Sequence, residues 1–201
     1  MKNKQLEVSK VSKREEIVAR AYAVFHKHGL HATGVDTVMA DTGISKRTLY
    51  KYFRTKEALI EAVVGHYQTL MFELIPQELA ARSDDPLERI LCLFDLKSEA
   101  FAFNDFGGCF ALNAKLEFKD KEKGIDAACG KFYELFEGYV TTLCEAAHCA
   151  NPAMTARQLV ILFAGGLVIG QMHHDAARIA MAKEMARRLV ESDRPSKNNA
   201  A

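Results

Sequence analysis

The chain has 201 residues, 49% hydrophobic and 26% charged, with a net charge of +1. That length allows one large domain or two small ones, and the composition excludes a disordered or fibrous chain. No apolar stretch opens the N-terminus, so no signal peptide is expected. Five cysteines without paired spacing point to a reducing compartment, the cytoplasm, and not to a disulfide framework.

The periodicity is helical throughout, with no convincing period-two segment. Ser12-Lys13-Arg14-Glu15 reads as a capping box, and Ile17, Ala21, Val24, Phe25 and His28 follow on one helical face until Gly29. Thr33 is placed to cap a second helix, with Val35, Val38 and Met39 inward and Gly43 as its stop. Ser45 caps a third, about two turns long, after the tight turn Thr42-Gly43-Ile44; this is helix-turn-helix geometry. Thr55 begins a long fourth helix with Leu59, Ile60, Val63, Val64, Tyr67, Leu70, Met71 and Leu74 on one stripe.

Asp85-Pro86 opens a fifth helix, with proline in the first turn, and Asn104 to Gly108 breaks it. A short sixth covers about Cys109–Phe118. A seventh runs from about Lys121 to His148, with Ile125, Cys129, Phe132, Phe136, Val140 and Leu143 inside. Asn151-Pro152 reads as a further break, followed by helices from about Thr155 to His173 and Asp175 to Glu191. The expected fold is therefore all-α with about nine helices. A three-helix head over residues 1–57, ordered from about 12, joins through the long helix to a helical body over 58–193. The extreme N-terminus and a tail over 194–201 are expected to be disordered.

Charge separates these parts. Residues 1–57 carry 12 Lys and Arg against 6 Asp and Glu, and the remainder 15 against 20. A basic head on a mildly acidic body suggests a polyanion partner for the head alone. The third helix carries Lys46, Arg47, Thr48, Tyr50, Lys51 and Tyr52 around only two clear apolar positions, Leu49 and Phe53. At 100° per residue, Lys51 stands nearly opposite Leu49 and Phe53, flanked by Arg47 and Thr48, with Tyr50 and Tyr52 on the shoulders. A polar short helix is ordinarily a solvated face. Here the cap, the turn, the charge asymmetry and the residue order agree on duplex DNA. Lys46, Arg47 and Thr48, near the helix start that Ser45 caps, are expected to meet base edges, and Ser45 and Lys51 are expected to contact the DNA beside them. Thr33 is expected to offer a phosphate its hydroxyl and the N-terminal N–H groups of the second helix.

The run Leu159–Gly170 is too short to span a bilayer and reads as a buried helix, so no membrane partner is expected. It is apolar almost all round and needs cover on nearly every side. A second subunit is the expected cover, at Leu162, Gly166, Ile169, Gly170 and His173; burial under the fifth and seventh helices is the alternative. Cys109, after two glycines at a helix start, invites a redox or electrophile sensor, against the plainer reading of a small buried hydrophobe. Cys144, His148 and Cys149 have partial metal spacing, but no second cluster completes it, so no metal is expected. No phosphate loop, dinucleotide fingerprint, nucleophile elbow or HExxH is present, so neither an enzyme nor a cofactor is expected.

Over about residues 12–60 the chain resembles the TetR/AcrR family of transcriptional regulators. The resemblance is carried by Thr33-Gly34-Val35, by the run Gly43-Ile44-Ser45-Lys46-Arg47-Thr48-Leu49-Tyr50-Lys51-Tyr52-Phe53, and by Lys56-Glu57-Ala58-Leu59. Chain length and helix count also fit, and Gly108-Cys109-Phe110 to Glu117-Phe118 looks like a stretch in many members; past residue 60 the agreement is otherwise one of pattern. The resemblance implies a homodimer on a near-palindromic operator, with Tyr50, Tyr52 and Lys56 on phosphates. It implies repression relieved by a small-molecule effector bound among the fourth to seventh helices. Aromatic and thiol groups there are the expected lining: Phe72, Phe94, Phe101, Cys109, Phe110, Phe132, Tyr133 and Phe136. The competing readings are a cysteine-based redox or electrophile sensor on the same scaffold, and a small-molecule-binding protein whose head does not bind DNA.

Overall fold

Ser12 opens α1 (Lys13–His28) with a reciprocal cap. Its hydroxyl accepts from the Glu15 N–H at 3.2 Å and the Glu15 carboxylate accepts from the Ser12 N–H at 2.8 Å, satisfying two donors that a helix start otherwise orphans. These are the first residues of a computed structural model that describes 12–101, 108–119 and 121–195. Gly29 ends α1 at φ +81°, a region closed to most side chains. Gly43, left-handed at φ +66°, ends α2 (Val35–Thr42) and gives its N–H to the Met39 carbonyl at 2.8 Å. Then come α3 (Lys46–Tyr52) and α4 (Lys56–Arg82), the latter capped by the Thr55 hydroxyl, which accepts from the Ala58 N–H at 3.1 Å.

The body adds α5 (Pro86–Phe101), α6 (Phe110–Phe118), α7 (Lys123–Ala146), α8 (Pro152–His173) and α9 (Ala177–Asp193). Among the described residues there are nine helices and no strand, which bears out the all-α reading. The chain does break before Asn151-Pro152, between α7 and α8, but α8 begins at Pro152 rather than at Thr155. The Asn151 side chain accepts from the Met154 N–H and caps α8, with Pro152 in the first turn, where a missing N–H costs nothing. Pro76 lies inside α4, and Leu74, read as part of its inward stripe, is 50% exposed. The start of the tail is held, since Arg194 Nε donates to the Ala147 carbonyl at 2.7 Å. The Asp193 carboxylate accepts from Asn151 N–H at 3.1 Å and Thr155 hydroxyl at 2.6 Å. The extreme N-terminus, most of the stretch 104–108 and the tail from 196 lie outside the described residues.

Helix α4 belongs to two cores. Leu59, Ile60, Val63 and Val64 are buried where it packs on α1, and Tyr67, Ile75 and Leu79 are buried farther along, where it meets α5, α6 and α7. Aromatic rings continue the connection. Tyr22 of α1 lies 6.0 Å from Tyr67, Tyr67 5.2 Å from Phe132, Phe132 6.3 Å from Phe136 and Phe136 5.2 Å from Phe163, centroid to centroid. These separations fall in the range of favourable ring contacts.

Helix α8 is covered on one side by its own chain. Gly166 and Gly170, expected at a subunit seam, face α9 of the same chain. A Cβ on Gly166 would fall 2.9 Å from Ala182 Cβ, and one on Gly170 would fall 3.3 Å from the Asp175 carbonyl oxygen. The glycines therefore serve the α8–α9 approach and not a contact with a second copy. By length and composition α8 is long and apolar enough to cross a membrane, yet only 33% of its most apolar window is buried. Its opposite face carries Ile161 and Met172 at 70% and 69% exposure, with Ile169, and α9 adds Met181 and Met185.

Gly166→Val places branched bulk where only a hydrogen fits. It is expected to lower unfolding free energy by about 1–3 kcal/mol in urea denaturation. An unchanged midpoint would mean that α8 and α9 are not held at this distance.

Candidate nucleic-acid interface and body cavity

The third helix is fixed from below and left open above. Ile44, Leu49 and Phe53 are buried, and the Arg14 guanidinium stacks 4.9 Å from the Phe53 ring centre. The Ser45 hydroxyl caps α3, accepting from the Thr48 N–H at 3.1 Å, and shares a hydrogen bond with the Thr48 hydroxyl at 2.8 Å. Those two hydroxyls are thus engaged with each other, and Thr48 is half-buried. Arg47 and Lys51 are exposed, as are Tyr50 and Tyr52, and the Lys51 ammonium lies 5.7 Å from the Tyr52 ring centre. Lys46 is exposed and bridges to Asp36 of α2 at 3.3 Å. The Lys56 ammonium donates to the His31 carbonyl at 3.2 Å, so any phosphate must compete with that bond.

Thr33 departs from expectation. Gly34, not Thr33, is the N-cap of α2, and no side chain caps that helix. The Thr33 side chain is turned inward, 2% exposed, and its Oγ1 has no partner. A phosphate at this helix start would meet backbone N–H groups and not the Thr33 hydroxyl.

Sequence reasoning did not find the latch between head and body. The Glu117 carboxylate, near the end of α6, accepts from the backbone N–H groups of His31 at 2.7 Å and Leu30 at 3.4 Å. The His31 ring stacks on Phe118 at 4.4 Å and lies 2.9 Å from the Glu117 carbonyl oxygen. The α1–α2 connection is therefore clamped by α6, whose other end is Cys109.

Cys109 lines a small cavity of about 20 Å³ with Tyr67, Met71, Ile75, Lys97, Phe132, Tyr133, Phe136 and Phe163. Of the expected lining, Cys109, Phe132, Tyr133 and Phe136 are there. Four others are elsewhere. Phe72 packs behind Phe132 at 5.8 Å, Phe94 against Phe163 at 5.4 Å, Phe110 between Tyr22 and Tyr67, and Phe101 is half-buried against the core. The Tyr67 and Tyr133 hydroxyls donate to Cys109 Sγ at 3.7 and 3.6 Å, and burial raises both phenols well above the ordinary tyrosine range. Burial also pushes the Cys144 thiol up to about 12 and the Cys129 thiol up to about 11, and raises Cys92 and Cys149. Those four thiols are held away from the reactive thiolate. Among the described residues, no cluster of three His, Cys, Asp or Glu is placed to hold a metal.

Residues 17–63 match the family described as bacterial regulatory proteins, tetR family. The repressor KstR2 of Mycolicibacterium smegmatis is 32% identical over 89 residues, 44% of this chain and 43% of that protein. The uncharacterised regulator YxaF of Bacillus subtilis is 34% identical over 84 residues, 41% and 43% of the two chains. The chain thus matches less than half the length of these relatives. Similarity of fold extends farther. A TetR family regulator from Cytophaga hutchinsonii superposes with a TM-score of 0.80 over 94% of this chain and 100% of that one, at 19% identity. The reduced form of Escherichia coli NemR gives 0.79 over 87% and 95%, at 18% identity.

Ser45→Ala removes the side-chain cap of α3 and is expected to cost about 1 kcal/mol of stability. Chemical denaturation reads the loss, and an unshifted curve would show that the turn alone holds the helix.

Proposed function

This chain belongs to the TetR family of bacterial regulatory proteins, and on that premise we propose that it is a homodimeric, ligand-responsive repressor of transcription. It acts in the cytoplasm without catalysis of its own. It holds a near-palindromic operator and leaves it when a small molecule occupies the body cavity. The observation that carries this reading is the exposed face of α3, where Arg47, Tyr50, Lys51 and Tyr52 stand clear of the buried anchors Leu49 and Phe53. An arginine near the start of such a helix suits a guanine edge, and the phenols and lysine suit phosphates. The name of the mycobacterial relative, a repressor, favours repression as the sign of regulation.

Dimerisation is supported by the uncovered apolar face of α8 and α9. Ile161, Leu162, Met185 and Leu189 line a groove there, with Gln158, Arg188 and Ser192 at its rim. Ile169, Met172 and His173 continue the exposed side of α8. A second copy seated on this face by a two-fold axis would bury it and set two α3 helices about one DNA turn, roughly 34 Å, apart. An effector loosens such a complex only by favouring a half-site spacing that the operator does not fit. Two helices reach from cavity to head and can carry that change: α4, through Tyr67, and α6, from Cys109 to the Glu117 latch.

The operator reading is tested by gel shift with the duplex upstream of the coding region. A shift that weakens with salt is expected, and no shift at low salt with any duplex would sink the proposal. Arg47→Ala is expected to cost about 1–3 kcal/mol and to relax preference at one base position; uniform weakening across sequences would place Arg47 on the backbone instead. Ile161→Glu puts a charge in the exposed apolar groove and is expected to leave a folded monomer by light scattering, with weakened operator binding. A mutant that remains dimeric would move the interface elsewhere.

A further inference from the structure

Lys97 occupies a position that α5 otherwise gives to apolar groups. Ile90, Phe94, Lys97 and Phe101 are spaced four, three and four, the spacing of one helical face. At the cavity wall its companions are Tyr67, Cys109, Phe132, Tyr133 and Phe136. Lysine on an apolar stripe usually swings its ammonium to a carboxylate or to water. The neighbouring cations do so: Lys183 chelates both oxygens of Asp95 at 2.7 Å, and Arg187 meets Glu88 at 3.0 Å. Among the described residues no such partner meets Lys97. Though half-buried by area, its ammonium is crowded by protein, and burial draws it below the usual lysine range.

The polar groups of this cavity share one property: they donate. An ammonium has three donors and no acceptor. The two phenols spend theirs on a thiol, which is a weak acceptor and readily yields to a better one. Helix α6 starts at Cys109 without a side-chain cap, so the positive end of its backbone dipoles lies at the same wall. Among the described residues no carboxylate lines the space. The remaining surface is aromatic and aliphatic, and the enclosed space is only about 20 Å³, so a ligand of one ring enters only as the lining side chains give way.

If the body is the effector-binding part, as proposed above, we infer that the effector is a small aromatic carboxylate, with its carboxylate on Lys97 and the Tyr67 and Tyr133 hydroxyls and its ring among Phe132, Phe136 and Phe163. Met71, flexible and unbranched, yields to admit the ring. Binding compensates an ammonium that no carboxylate among the described residues meets, so the acid is preferred over a neutral isostere of the same shape.

The test is isothermal calorimetry of the full-length protein, without DNA, against benzoate and phenylacetate and their amides. The acids are expected to bind at least about tenfold tighter than the amides, the scale of one charge-assisted hydrogen bond. Lys97→Met is expected to cut that preference to under about twofold, and Lys97→Arg to preserve most of it. Lys97→Met should also raise the thermal midpoint of the ligand-free protein, because it removes a crowded charge that no carboxylate among the described residues pairs. Equal binding of acid and amide to the wild type overturns the carboxylate assignment while leaving the effector cavity in place. Binding of neither at millimolar concentration overturns it, as does a full acid preference in Lys97→Met. Operator binding is read separately by gel shift, and its failure would bear on the regulator reading alone.

Discussion

One helix shared by two hydrophobic cores governs this molecule. Helix α4 is buried against α1 through Leu59, Ile60, Val63 and Val64, and lines the body cavity through Tyr67, Met71 and Ile75. Because both cores are close-packed, neither end can move without strain at the other. The head is also clamped from the side, where Glu117 of α6 accepts from the backbone of the α1–α2 connection. The cavity thus touches the head by two routes, and both begin at residues in contact with one another, Tyr67 and Cys109.

The exposed side of α3 is built by the opposite principle. Three apolar anchors, Ile44, Leu49 and Phe53, secure a helix of only seven residues and leave Arg47, Tyr50, Lys51 and Tyr52 exposed. A short helix has little stability of its own. The Ser45 cap, the left-handed Gly43 and the Arg14–Phe53 stack supply what the helix lacks, so that Arg47 and Lys51 need not be spent on holding the fold.

In the body, polarity is concentrated where it has work. The cations at the α5–α9 seam are matched by carboxylates, whereas the cavity holds an ammonium, two phenols and a thiol in aromatic surroundings. In such a set the charge and hydrogen-bond donors give direction, and the aromatic walls add area without direction. The α8–α9 face is exposed and apolar, with Ile161, Met172, Met181 and Met185 on it.

The helices, their order and most of their ends were legible in the sequence, because they rest on local chemistry. Capping at Ser12, Ser45 and Thr55, the stops at Gly29 and Gly43, and the inward stripe of α7 each depend on residues within a few positions of one another. Which surface each side chain finally faces depends on partners far along the chain. Thr33 reads as a surface cap but is turned inward, and Gly166 and Gly170 read as a subunit seam but admit α9 of their own chain. The break at Asn151-Pro152 was legible, but the helix after it starts at Pro152, where Asn151 caps it, and not at Thr155. The Glu117 latch joins residues 86 apart and had no local signature. Lys97 did leave one, a cation in an apolar register, but only the packing of α4, α5, α6 and α7 around it turned that irregularity into a cavity lined by donors. Sequence determined the elements because hydrogen-bond capping and amphipathic period are local; tertiary structure decided the sites because burial and charge pairing are not.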